Sequence, residues 1–280
     1  MTTQAAPIGA GPGIRPSGEG SLRVEAAGAV AVITIDNPAK RNALTQEMWR
    51  QFGPILEQLD TDDRVKVVVF RGAGRTFSAG ADISALERIL HDPSTGQRDG
   101  GDITRAEEAI AAFRKPTIAA IEGYCVGGAW QIAGACDIRV AAEGAVFGVT
   151  PSKIGIVYPL SGIERLVRLV GPATAKYLLF SGDFVEAVDA ARLGMASWVA
   201  PDDGFWAEVH DFAERIASRS QFSVQAHKDL VDTISAGGDV AGRSGFWQEQ
   251  MAAGPDSAIG IRAFLAKERP AFTWAAPVEG

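Results

Sequence analysis

The residues of this chain best suited to chemistry are two glycine-rich turns and the neutral polar side chain beside one of them. "FSAGADI" (77–83) and "GYCVGGAW" (123–130) each lead from a strand-like run toward a helix-like one. At a helix start the first N–H groups have no intrahelical partner, and the dipole there favours negative charge. Glycine lets a ligand come close to the backbone. Two such turns facing one another could aim two N–H groups at one developing oxyanion. Gln131 follows Gly128 by three residues on the same helix-like run. Its amide can hydrogen-bond a water or a substrate oxygen but cannot take a proton.

Other chemistries find little support. There is no G-x-S-x-G elbow and no Walker loop. "GAGRTF" begins like a dinucleotide fingerprint, but Phe77 stands at its third glycine, which argues against a Rossmann site. His91, His210 and His227 are scattered without metal-ligand spacing, so no metal is expected. Cys125 and Cys136, the only cysteines, give neither a disulfide framework nor a metal cluster and read as reduced, buried and structural. A formal net charge of −7 with no basic stripe excludes a general nucleic-acid binder. It leaves room for an anionic small ligand held by a few local cations. No apolar stretch is long enough to span a membrane. The first twenty residues lack a signal peptide's basic start and apolar core, so a cytoplasmic location is the default expectation.

The turns need elements to hold them. Val30–Ile35, 65–70 and 117–121 read as short buried strands, and "DIRVAAEGAVFG" supplies two more. Leu44, Met48, Phe52, Ile55, Leu56 and Leu59 recur at helical spacing. "HDPSTGQRDGGD" reads as a long loop before the helical "ITRAEEAIAAFRK", which Pro116 closes. Strands alternate with helices to about Val199, an α/β pattern, and helices alone follow at 204–219, 222–236, 241–252 and 255–267. The expected division is a flexible Gly/Pro/Ser tail (1–20), a strand–helix core bearing the site (21–203) and a helical region (204–280). No exact repeat occurs, but the strand–glycine–helix pattern appears twice, around Gly80 and around Gly127.

"FSAGADI", "EGYCVGG" and the upstream "NPAKRNAL" (37–44) together resemble the crotonase, or enoyl-CoA hydratase/isomerase, superfamily. The resemblance continues through 147–171, 179–199 and "AFLAKERPAF" (263–272), in order, over about residues 21–272. It implies a spiral of repeated ββα units and a helical C-terminal region used in contacts of a homotrimer or dimer of trimers. It also implies a coenzyme A thioester as substrate, with no separate cofactor. By the same resemblance, the Ala81 and Gly128 N–H groups hold the thioester oxygen. Lys40, Arg41, Ala43, Ala79, Asp82 and Ile83 match positions along the CoA path, and Phe264 and Lys267 match a pair that reaches CoA across a subunit boundary. Trp130, with the loop 91–102, is expected to shape the acyl pocket.

Superfamily members that hydrate enoyl-CoA commonly flank the water with two glutamates, and here those places hold Gln131 and Pro151. General acid–base catalysis supplies about 10²–10⁴-fold, so their loss counts against ordinary hydration. Decarboxylation of an alkylmalonyl-type thioester needs no base, because loss of CO₂ leaves the enolate directly. "TPSKIGIVYPLSG" resembles the matching segment of the superfamily's alkylmalonyl-CoA decarboxylases, in which Tyr158 would orient the acyl head. Lyase chemistry of that kind is the preferred reading. A hydratase or isomerase using an unrecognised acid–base group is the alternative, with Glu143 and Glu164 the nearby carboxylates. A CoA-thioester binding protein without catalysis is the alternative of another class.

Overall fold

The computed structural model describes residues 20–91, 96 and 100–276. The expected N-terminal tail to residue 19, and most of the loop 91–102, lie outside the described residues. The nine strands are β1 (Ser21–Ala27), β2 (Val30–Asp36), β3 (Val67–Gly72), β4 (Thr117–Ile121), β5 (Tyr124–Val126), β6 (Ile138–Ala142), β7 (Val146–Gly148), β8 (Phe184–Glu186) and β9 (Trp198–Ala200). Six of them form one sheet in the order β1-β2-β3-β4-β6-β9, parallel except for the β1–β2 hairpin. The other three form a small sheet, β5-β7-β8.

Apart from the exposed edge strand β1, the large sheet is largely buried on both faces, as its near-continuous apolar strands require. Ala31, Ile33, Ile35, Val68, Phe70, Ala119 and Ile121 face the main core. The alternate residues Val30, Val67, Val69, Ile118, Ala120 and Val140 pack on Phe205, Val209 and Ala213 of helix α7 (Phe205–Ala217). Along β2 each residue therefore serves the face opposite to its neighbour, which is the period of two expected of a strand.

On the main-core side lie α1 (Gln46–Thr61), the short α2 (Leu86–Leu90), α3 (Gly101–Ala112) and α4 (Gly128–Ala135). The side chain of Thr45 caps α1 by accepting from Met48 N at 3.3 Å, and Met48, Trp49, Phe52, Leu56 and Leu59 form its buried stripe. α5 (Leu160–Ser181) bends at Gly171, whose φ of +76° no helix tolerates. α6 (Ala187–Arg192) follows, and after α7 come α8 (Gln221–Ala236), α9 (Val240–Ala253) and α10 (Asp256–Ala266).

The ββα unit recurs as anticipated. In β4-β5-α4 and in β6-β7-α5 the first strand joins the large sheet and the second joins the small one. Residues around the first glycine turn copy this in miniature: after β3, Ser78 makes a single parallel bridge to Cys125 of β5. Two local readings differ. α3 begins at Gly101, inside the polar segment read as loop, and it ends at Ala112, four residues before Pro116. Asp102 draws the helix start inward: it is buried, and accepts from Gln46 Nε2 (2.8 Å), Arg105 (2.6 Å) and Arg50 Nε (3.2 Å). Burial works against its charge, but those hydrogen bonds outweigh it and hold the carboxyl below its ordinary range.

Candidate active site

Accounting for the backbone N–H groups of the first turn isolates one of them. Phe77 N donates to Glu122 O, Ser78 N to Tyr124 O, Ala79 N to Arg41 O and Asp82 N to Leu44 O, all within 2.7–2.9 Å. Gly80 N donates to Ser78 Oγ at 3.0 Å. Ala81 N alone in this run has no acceptor among the described residues. The cause is its parallel bridge with Leu44, which takes Gly80 O and Asp82 N and turns the Ala81 N–H the other way.

The second turn offers the complement. Gly127 N is spent on Gly148 O, while Gly128 N opens α4 and has no intrahelical partner. The two free N–H groups adjoin. A Cβ placed on Gly128 would lie 3.2 Å from Ala81 N and 3.0 Å from the Trp49 ring, and one placed on Gly80 would lie 3.0 Å from Gly128 N and 2.6 Å from Val126 O. Glycine is required at Gly80 for lack of room and for its φ of +96°, and at Gly128 a Cβ would fit only tightly. The pair is a ready anion cradle at a helix N-terminus, the geometry of an oxyanion hole.

One helical turn on, Gln131 shares the face of Gly128. It is 2% exposed, and its Nε2 donates to Glu107 Oε2 at 3.0 Å. Glu107, on α3, has no exposure at all. The same oxygen accepts from Ser161 Oγ at 2.7 Å, and Arg165 Nε stands 3.3 Å from Oε1 without hydrogen-bond geometry. Burial pushes the Glu107 carboxyl above its ordinary range, against the pull of Arg165, Ser161 and Gln131.

Tyr158 is also buried, and its hydroxyl donates to Gly127 O at 2.7 Å, tying the 150s segment to the start of α4. Burial, and then the Glu107 charge, pushes its phenol well up, so it stays protonated. Gly162 permits the arrangement: a Cβ there would fall 2.8 Å from Gln131 Nε2 and 2.9 Å from Tyr158 Cε1.

The sequence reading missed Glu107, although a signal was present. Ile103, Ala106, Glu107 and Ile110 lie on one stripe at helical spacing, and a carboxylate within an apolar stripe must have partners. Glu143 and Glu164, considered instead, lie apart: Glu143 is exposed in a turn and Glu164 pairs with Arg168 at 3.7 Å on the surface.

At the outer end, Lys40 and Asp82 come together, 2.6 Å apart. Asp82 also caps the turn after it by accepting from Ser84 N, and the Lys40 hydrogen bond holds its carboxyl below the ordinary range. Both line a cleft of about 330 Å³ that also includes Thr45, Gln46, Arg50 and Arg88. Arg41 is exposed in a left-handed conformation (φ +52°), Ala43 is buried with its carbonyl on Asn37 Nδ2, and Ala79 and Ile83 are exposed.

The remaining candidates fall elsewhere. Trp130 is packed edge-to-face on Phe147 and is 1% exposed, so its indole belongs to the core. Pro151 is itself buried, at the start of a turn whose other residues are exposed, and carries nothing titratable. Phe264 is 83% exposed on α10, and Lys267 caps that helix in a left-handed conformation. Cys125 and Cys136 are free and buried, and burial pushes the Cys136 thiol up to about 12. Among the described residues no cluster of His, Cys, Asp and Glu could hold a metal, and no helix is long and apolar enough to cross a membrane.

Residues 25–274 match the family model described as enoyl-CoA hydratase/isomerase. A solved structure described as an enoyl-CoA hydratase/isomerase family member is 45% identical, with a TM-score of 0.87 over 94% of this chain and 100% of that one. Another, described as an enoyl-CoA hydratase/carnithine racemase from Magnetospirillum magneticum, is 32% identical with a TM-score of 0.84, over 90% of this chain and 95% of its own. The 2,3-dehydroadipyl-CoA hydratase of Escherichia coli is 34% identical over 87% of this chain and 94% of its own length.

Proposed function

This chain belongs to the enoyl-CoA hydratase/isomerase family, and from that premise we propose that it binds a CoA thioester with the carbonyl oxygen between the Ala81 and Gly128 N–H groups and stabilises the enolate that forms there. The observation that carries this is the unspent Ala81 N–H beside the free N-terminus of α4. In a water-excluded site each such donor is worth about 3–4 kcal/mol in the transition state. The Lys40/Asp82 cleft, with Arg50 and Arg88, gives the anionic end of CoA a place to lie. A homotrimer or dimer of trimers in the cytoplasm completes the reading.

Two chemistries use that enolate. Hydration or isomerisation of an enoyl thioester is favoured by the hydratase name of the E. coli relative and by the state of the donors. The Tyr158 hydroxyl is committed to Gly127 O and one of the two Gln131 Nε2 hydrogens to Glu107, so at most one amide hydrogen is left to hold a malonyl-type carboxylate. Glu107, in contact with Gln131, is the carboxylate at hand that the sequence reading lacked. Decarboxylation, the preference drawn from sequence, keeps one observation in its favour: Gln131 and Pro151 put no titratable group of their own beside the hole.

Mass spectrometry after incubation with a panel of enoyl-CoA and alkylmalonyl-CoA thioesters separates them. Gain of water or a moved double bond supports the first, and loss of CO₂ supports the second. Thioester binding with no product would leave only a binding protein.

A further inference from the structure

One buried charge has no counter-charge of its own. Arg139, the second residue of β6, is 6% exposed, and no carboxylate among the described residues forms an ion pair with it. Its Nη1 donates to Cys136 O at 2.7 Å and, at the limit of hydrogen bonding, to Ala133 O at 3.5 Å. Its Nε is buried without a partner. Burial pulls the guanidinium below its ordinary value, yet an arginine keeps its charge even so. Buried cations are normally paired, because leaving water is costly. Something else must answer the charge of Arg139.

What it meets is the end of α4. Ala133 lies in the last turn of that helix and Cys136 is its C-cap, where the negative end of the helix dipole collects. All eight residues of α4 are buried, so little water screens one end from the other. At 1.5 Å per residue the helix is about 12 Å long. At its other end stands Gly128 N, one of the two donors proposed for the thioester oxygen. Asp137, the one carboxylate whose charge acts on Arg139, is itself answered by Lys228 at 2.9 Å and by Thr117 N at 2.7 Å. Burial pushes the thiols of Cys125 and Cys136 up, so both stay neutral. The charge behind α4 is therefore positive on balance.

We propose that Arg139 is a positioning residue for the oxyanion hole: it fastens the C-terminal end of α4 and sets a positive charge behind it, so that an oxyanion forming at Gly128 N lies in a more favourable field. This rests on the oxyanion-hole reading given above and adds to it a residue that acts from the far end of the helix. One unit charge about 15 Å away, at an effective dielectric constant of about 20, changes the rate of forming an oxyanion about fivefold.

The test reads that field directly. Butyryl-CoA isotopically labelled at its carbonyl carbon is bound to the protein, and its carbonyl stretch is followed by difference infrared spectroscopy. A carbonyl polarised by donors and positive charge absorbs at lower frequency, so binding to the wild-type protein should lower the stretch. R139M should give a smaller lowering. Its turnover on whichever thioester proves to be the substrate should fall about fivefold, with KM within about twofold of wild type. R139K, measured at about pH 6 so that a buried lysine keeps its proton, should restore most of both. Packing alone would not behave so, because a lysine cannot reproduce the contacts of a guanidinium. Where R139M does not fold, D137N carries the test: removing that negative charge should lower the stretch beyond its wild-type position.

A stretch unchanged from wild type in R139M, or in D137N where that variant carries the test, would overturn the proposal. So would R139K failing as fully as R139M, which would leave Arg139 a packing role only. If the wild-type protein does not bind butyryl-CoA, or binds it without lowering the stretch, the oxyanion-hole reading itself falls and takes this inference with it.

Discussion

The two ends of the candidate site use the same kinds of residue under opposite conditions. At the inner end Glu107 is fully buried and Arg165 only 14% exposed, and Glu107 has three polar neighbours from two helices. At the outer end Lys40 and Asp82 form a shorter ion pair, but the lysine side chain is 57% exposed. The shorter contact is the less consequential one. Water screens the outer pair, and exposed pairs contribute about 0–1 kcal/mol. A buried carboxylate deprived of its partner costs several kcal/mol, so each partner of Glu107 constrains the others. Precision therefore belongs at the inner end, and tolerance at the outer one.

That contrast can be broken, beginning where the largest effect is expected. G128A places a methyl group 3.2 Å from Ala81 N, the other donor of the proposed oxyanion hole. Turnover on whichever thioester proves to be the substrate should fall about 10²–10³-fold, as for loss of an oxyanion-hole donor. A fall of less than tenfold in steady-state kinetics would remove this pair from the chemistry.

G162A comes next. Its methyl group would meet Gln131 Nε2 at 2.8 Å and Tyr158 Cε1 at 2.9 Å, inside a closed interior. Overpacking of this sort costs about 1–3 kcal/mol, read as a lower urea midpoint at unchanged slope. An unchanged midpoint would mean that the inner end is looser than its contacts show.

The pH dependence of stability sharpens the comparison further. Because burial raises the Glu107 carboxyl in the folded protein above its ordinary value of 4.5, the folded state binds a proton that the unfolded chain releases first. Glu107 therefore subtracts stability as pH rises from about that value through its raised folded value. E107Q has no such titration. Its melting temperature relative to wild type should thus climb as pH is raised across that window, even if it starts lower for want of an Arg165 partner. Parallel curves would show that the carboxyl titrates alike in both states.

The smallest effect is expected at the outer end. K40A removes the partner of Asp82 and one cation of the cleft, yet leaves the Asp82 cap to Ser84 in place. KM should rise less than about fivefold with kcat unchanged, the signature of uniform binding lost. A large fall in kcat instead would make the entrance as exacting as the interior.

Several features of this molecule follow from residues close together in the chain. Strand periodicity in Val30–Ile35, the glycines at the starts of turns and the apolar spacing of α1 are local codes, each enforced by the geometry of a few successive peptides. They sufficed for the α/β class and the twice-occurring strand–glycine–helix pattern, while the ββα unit and the pairing of Ala81 with Gly128 came from the family resemblance. Short strands escaped. β5, β8 and β9 have three residues each, and so little sequence carries no period to read.

What the tertiary structure alone decided is the company each side chain keeps. Gln131 and Glu107 are 24 residues apart, and Ser161 and Glu107 are 54 apart. Nothing in either local segment says that α3, α4 and α5 will meet there. Trp130 shows the converse: it stands next to the site in sequence, yet packing turned it into the core against Phe147. The chain thus wrote its two glycine turns in backbone terms, which depend on short-range sterics and are legible. The polar cluster beside it was written in side-chain contacts, which depend on how helices cross and exist only once the chain has folded.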